Sequence, residues 1–181
     1  ELGIRGALLL PPFNDPKMAE ALAELESQQF PMVLLDMTTP GVQADLAASD
    51  NEAAAHMATR YLLDRGHRRV LFLFHPLLVS SVLARTAGYD RAVALSGIQA
   101  QPEWKVRIDL ATHTEGCRDG RPWWGASQAV LPMLSRLEKP LAVLGVDSYT
   151  GWGVYEACRE LNLQIPQDVS VVAFDDVEIT R

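Results

Sequence analysis

The 181-residue chain has only two cysteines, Cys117 and Cys158. They lie far apart and form no CxxC, which excludes a zinc ribbon or a thioredoxin-type redox site and leaves two ordinary thiols of a reducing compartment. Long hydrophobic runs are also missing. The longest, such as Val70–Phe74, fall far short of the ~20 apolar residues that span a bilayer, and no basic-then-apolar leader opens the chain. Positive charge is scarce: 16 basic residues against 23 acidic give a net charge of −7. Such a surface lacks the field that a phosphate backbone attracts, so the chain is not expected to hold DNA by itself. There is no glycine-rich phosphate loop, no nucleophile with a partner base, and no HxH or HxxxH spacing among the four histidines. No catalytic residue, cofactor or metal is therefore expected.

What is present is a regular alternation. Short apolar runs, Ile4–Leu10, Met32–Leu35, Val70–Phe74, Val106–Leu110, Leu141–Val146 and Val169–Phe174, are mostly continuous in Val, Leu, Ile and Phe, as in parallel strands covered on both faces. Between them lie stripes of helical period: Met18, Ala21, Leu22 and Leu25; Ala54, Met57, Ala58, Tyr61 and Leu62; Ala126 to Leu137; Val154, Ala157, Cys158 and Leu161. The pattern predicts an α/β fold of parallel sheets flanked by helices. Asp15-Pro16 reads as a cap and first helical residue, Ser49 with Glu52 as a capping box, and Gly66 and Gly97 as helix ends. Pro132, inside the third stripe, is expected to kink that helix or displace its start. The non-periodic stretch 38–48 is expected to carry the chain between two sheets. Residues 1–47 then form a partial first lobe and residues 48–181 a second lobe, with the chain truncated at both ends.

In open parallel sheets ligands bind beyond the carboxyl ends of the strands. There the sequence puts Asp36, Asp109, Asp147 and Asp175. Carboxylates are acceptor-only groups suited to the hydroxyls of a sugar or the N–H groups of a base. Each has a second use open to it, capping the helix that follows, and Asp147-Ser148 is especially open to that use. Arg85 supplies either a planar fork of donors opposite these acceptors or a surface arginine on a helix. His56 and His67 read as a helix residue and a helix-to-strand turn. His75 and His113 follow strands, without spacing that supports a metal. Trp104, Trp123 and Trp124 suit a sugar face or core packing, the pair 123–124 falling in a segment expected to be irregular.

Several motifs, in order, carry a resemblance. Asp50-Asn51 with Ala54, the run Tyr61–Val70 containing Gly66-His67, Ser80-Ser81 followed by Arg85-Thr86-Ala87-Gly88-Tyr89, Glu156–Leu161 and Ile165–Asp176 together resemble the lactose/galactose repressor family of bacterial transcription regulators. The resemblance covers nearly all of residues 4–178. It implies a two-lobed fold like that of periplasmic binding proteins, a small polar effector such as a sugar held between the lobes, a cytoplasmic homodimer, and operator DNA bound through a module not present in this chain. It carries effector contact onto Asp36, Arg85 and Asp175. Where the family commonly has Asn-Asp ahead of the glycine matched by Gly153, this chain has Asp147-Ser148. The rival reading with the same fold is a solute-binding protein of a sugar transporter. A Mg²⁺-dependent phosphoryl-transfer enzyme using the strand-end aspartates ranks below both, for want of a phosphate loop.

Overall fold

The computed structural model describes residues 3–11, 15–75 and 79–176. It contains two parallel sheets. The first holds β1 (Ala7–Leu9), β2 (Met32–Leu35) and β3 (Asp45–Ala47) in that order, with α1 (Pro16–Ser27) between β1 and β2. The second has the order β5-β4-β6-β7, from β4 (Val70–Phe74), β5 (Lys105–Arg107), β6 (Leu141–Gly145) and β7 (Val169–Ala173). Around it lie α2 (Asn51–Asp64), α3 (Ser80–Ser96), α4 (Leu110–Arg118), α5 (Trp124–Arg136) and α6 (Ser148–Glu160).

Strand alternation divides the core around the second sheet in two. Leu71 pairs with Val143 in register and Val143 with Val171; together with Leu73 and Leu141 they face Val130, Met133 and Leu134 of α5 and Val154 and Ala157 of α6. Val70, Phe72, Ala142 and Leu144 point the other way, against Leu62 and Leu63 of α2 and Val82, Tyr89 and Val93 of α3. The central strands are buried on both faces, so their sequences are continuous rather than alternating. In the first sheet Leu22 of α1 packs on Met32 and Leu34, whereas Leu8 on the opposite face is 72% exposed.

The helix starts follow local chemistry. Asp15, with Pro16 at the first helical position, caps α1. Asp50, rather than Ser49, caps α2 through a bond from the Ala53 N–H, 2.9 Å long. Gly97 ends α3 in the left-handed region, as expected.

Three other expectations are corrected. The stretch 38–48 is not all connector, since it contains β3. The fourth apolar run yields only Lys105–Arg107 as strand, because Asp109 caps a new helix, α4, that starts at Leu110. Trp123 and Trp124 are the cap and first residue of α5 rather than part of an irregular segment. Pro132 lies inside α5, so of its two expected outcomes a displaced start is not the one found. Of the two uses open to it, Trp104 takes core packing.

Candidate functional site

Because all four strands of the second sheet are parallel, the residues that follow them collect along one edge: His75 after β4, Asp109 after β5, Asp147 after β6 and Asp175 after β7. Asp36 holds the same position after β2 in the first sheet. A hydrogen bond from the Thr38 N–H to Ser80 Oγ, 3.0 Å, ties the segment after β2 to the start of α3, which follows β4. The segment after β2 is thereby joined to the helix that follows β4.

Arg85 stands on this edge, not on an outer helix surface. Its Nε donates to Asn51 Oδ1 at 2.8 Å, one terminal nitrogen donates to the Val146 carbonyl at 2.5 Å, and the guanidinium lies 4.3 Å from the centre of the Phe174 ring. Close helix packing makes this possible. Gly88, one turn on from Arg85, lies so near α2 that a Cβ there would meet the Glu52 carbonyl oxygen at 2.2 Å. Bare backbone at Gly88 thus lets the start of α2, with Asn51, come within reach of Arg85.

The aspartates divide into two kinds. Asp109 accepts from both the N–H and the hydroxyl of Thr112, each 2.9 Å, and the Thr112 backbone bond leads in holding its carboxyl below the usual range. Asp147 caps α6: its Oδ1 accepts from the Thr150 N–H at 2.7 Å while Thr150 Oγ1 accepts from its own N–H at 2.9 Å. Its Oδ2 is 2.5 Å from His75 Nε2. Burial alone would raise the Asp147 carboxyl, but the bond and charge of His75 together with the Thr150 bonds outweigh it and hold the group lowered. Ser148 is buried, and its hydroxyl donates to the Phe174 carbonyl at 3.0 Å.

Asp36 and Asp175 differ. Both are exposed, both adopt left-handed backbone with φ of 63° and 67°, and neither carboxylate has a partner among the described residues. A non-glycine residue held there costs on the order of 1–3 kcal/mol, a conformation that clusters at ligand sites, although Asp tolerates it better than most.

The structure also assembles a cluster that sequence spacing did not disclose. His75 and His113 sit edge to face with ring centres 4.9 Å apart, His75 bonded to Asp147. Nδ1 of each ring is buried without a hydrogen-bond partner among the described residues. Burial foremost, then the neighbouring His75, lowers the pKa of His113, with Asp147 acting the other way. The available signal was positional: both histidines follow strands, His75 directly and His113 four residues beyond Asp109. No group of three or more His, Cys, Asp or Glu among the described residues is arranged to hold a metal.

Two concavities lie elsewhere. One of about 580 Å³ is lined by Gly6, Pro31 and Gln43 at the amino ends of the first sheet's strands. Another of about 660 Å³, between α5 and α6, includes Trp123, Trp124 and Glu156. Trp123 is stacked on Trp152 at 3.9 Å beside it, at the amino ends of α5 and α6.

Residues 59–181 match the family model of the periplasmic binding protein-like domain. The chain is 28% identical over 149 residues to the ribose operon repressor of Escherichia coli (strain K12), which covers 82% of this chain and 42% of the repressor. It is 30% identical over 162 residues to the HTH-type transcriptional repressor PurR of Escherichia coli O1:K1 / APEC, covering 88% of this chain and 44% of that protein. It therefore spans less than half the length of these curated relatives. Among solved structures, a regulatory protein of the LacI family from Chloroflexus aggregans superposes with a TM-score of 0.78 at 24% identity, over 97% of this chain and 58% of that one.

Proposed function

The chain belongs to the periplasmic binding protein-like domain family, and from that premise we propose that it is the effector-sensing part of a transcription regulator, holding a small polar ligand between two lobes divided near residue 47. Its curated relatives are transcriptional repressors, which favours this reading over a transporter's solute-binding protein and over an enzyme. The observation that carries it is the state of Arg85. Asn51, Val146 and Phe174 fix the guanidinium at the carboxyl edge. One terminal amino group is left with no partner among the described residues, and the unpartnered carboxylates of Asp36 and Asp175 flank the same edge. Arg85, Asp36 and Asp175 are the contacts proposed for the ligand. Asp147, Asp109 and Ser148 support the strand ends and helix starts on which those contacts rest.

Occupancy closes the lobes and so changes the spacing of two DNA-binding modules that lie outside these 181 residues. Two-fold operators call for two-fold proteins, hence a cytoplasmic homodimer. No helix among the described residues is long and apolar enough to cross a membrane.

The test is a thermal-shift and calorimetric screen of the full-length protein. Its panel holds D-ribose, suggested by the name of one relative, with other sugars, nucleobases and organic acids. Ligand at about one hundred times its dissociation constant adds roughly 2.7 kcal/mol of stability. No response to any member of the panel defeats the reading.

A further inference from the structure

The strand-end edge has a polarity along its length. In the order β5-β4-β6-β7, the imidazoles of His113 and His75 stand at the β5 and β4 end, Arg85 lies against Val146 at the end of β6, and the carboxylate of Asp175, unpartnered among the described residues, follows β7. The acceptors at the first end are already engaged. Asp109 is committed to Thr112, and both oxygens of Asp147 are bonded, one to Thr150 and one to His75. What remains there is the spare amino group of Arg85, always a donor, and Nδ1 of each ring, unpaired among the described residues and a donor wherever it carries a proton. Buried polar atoms left unpaired in a folded protein call for a partner from outside the chain. His75 to Asp175 is two strand spacings, roughly 10 Å at ~4.8 Å each, about the reach of an extended six-carbon polyol.

We propose that His75 and His113, with Arg85, receive an acidic group of the ligand, while Asp36 and Asp175 accept from its hydroxyls. The effector is then a polyhydroxylated acid, its anionic oxygens supplied by a carboxylate or a phosphate ester, rather than a neutral sugar. This rests on the effector-sensing reading above and specifies the ligand class of that same site. The His75–Asp147 bond serves it by joining the ends of the two central strands, which fixes the ring against His113. With Nε2–H given to Asp147, the other ring nitrogen, Nδ1, faces the ligand and donates to its anionic oxygen in the imidazolium form of the ring.

The experiment is isothermal titration calorimetry of the full-length protein with matched pairs: D-galactose and D-galacturonate, D-glucose and D-gluconate, D-ribose and ribose 5-phosphate. At least one acid is expected to bind tenfold or more tightly than its neutral partner. The galacturonate and gluconate arms against the ribose 5-phosphate arm tell a carboxylate from a phosphate. In H113Q, and in H75Q, which keeps a donor for Asp147, that preference is expected to fall about tenfold with the melting profile retained. Neutral sugars binding as tightly as the acids would overturn the inference and leave the sensor reading standing. An acid preference unchanged in both variants, when either is folded, overturns it as well. Absence of binding by every member of the pairs and of the wider screen defeats the sensor reading itself.

Discussion

Replacing Gly88 by alanine sets two opposed effects against each other in one helix. A Cβ at this position meets the Glu52 carbonyl oxygen at 2.2 Å, the Ala55 Cβ at 2.9 Å and the His56 backbone nitrogen at 2.9 Å, all on α2. Two of the three are backbone atoms, so no side-chain rotation relieves the clash and the helices must part. Overpacking of this kind costs about 1–3 kcal/mol and occasionally more, whereas alanine in place of glycine returns about 1 kcal/mol of helix propensity. Contact with backbone at 2.2 Å belongs at the upper end of the first range, which leaves a net loss of roughly 2 kcal/mol. For a chain of this size that is about 4–8 °C in Tm. The start of α2 moves with it, so the Asn51–Arg85 bond lengthens and ligand affinity falls too. Scanning calorimetry of Gly88→Ala beside Ala87→Gly, an exposed neighbour on the same helix, separates the effects, because the second variant reads propensity alone. A Gly88→Ala melting temperature equal to or above that of the parent would refute the packing account.

Three further outcomes are expected. Arg85→Lys keeps the charge but loses the planar fork that bonds Asn51 and the Val146 carbonyl, so affinity for the ligand drops at least tenfold while the fold persists; titration calorimetry showing unchanged affinity returns Arg85 to a structural role. Asp147→Ala removes the α6 cap and the His75 partner and costs about 1–3 kcal/mol at neutral pH. Because the folded carboxyl is lowered, its contribution is complete above the unfolded pKa and is lost as pH falls through the folded one. The gap between parent and variant should therefore close below about pH 4, and a gap that stays constant in urea titrations down to pH 2.5 contradicts the His75–Asp147 assignment. Finally, Tyr155 is 54% exposed on α6, near the stacked Trp123–Trp152 pair, in the aromatic composition of an interface; Tyr155→Glu is expected to weaken a full-length dimer in sedimentation equilibrium, and a parent protein that is monomeric at tens of micromolar removes the dimer altogether.

The chain's own order of residues determined the class of fold. Parallel strands buried on both faces must be continuously apolar, and the helices between them need one apolar stripe, so both left periods that local reading recovers; Val70–Phe74, Leu141–Gly145 and Val169–Ala173 emerged within a residue or so of their observed bounds. Strand-end positions followed from topology alone, which is why Asp36, Arg85 and Asp175 were legible as candidates. Elements held by tertiary context left no such trace. β3 is three exposed residues, Asp45–Ala47, recognisable only by its pairing with β2. α4 buries little besides Gly116; the Asp109 cap sets its start and packing on α5 holds it.

Nor does any sequence period relate His75 to Asp147, 72 residues away, or His113 to either. The division between carboxylates bound to their own helices and those left free depends on which donors the fold brings within 3 Å. Thr150 and Thr112 answer Asp147 and Asp109 locally, His75 reaches Asp147 only across the sheet, and no described residue answers Asp36 or Asp175 in their left-handed turns. A hydrogen bond is decided by distance and direction between atoms, and for groups on different strands those are properties of the packed sheet, not of the chain that forms it.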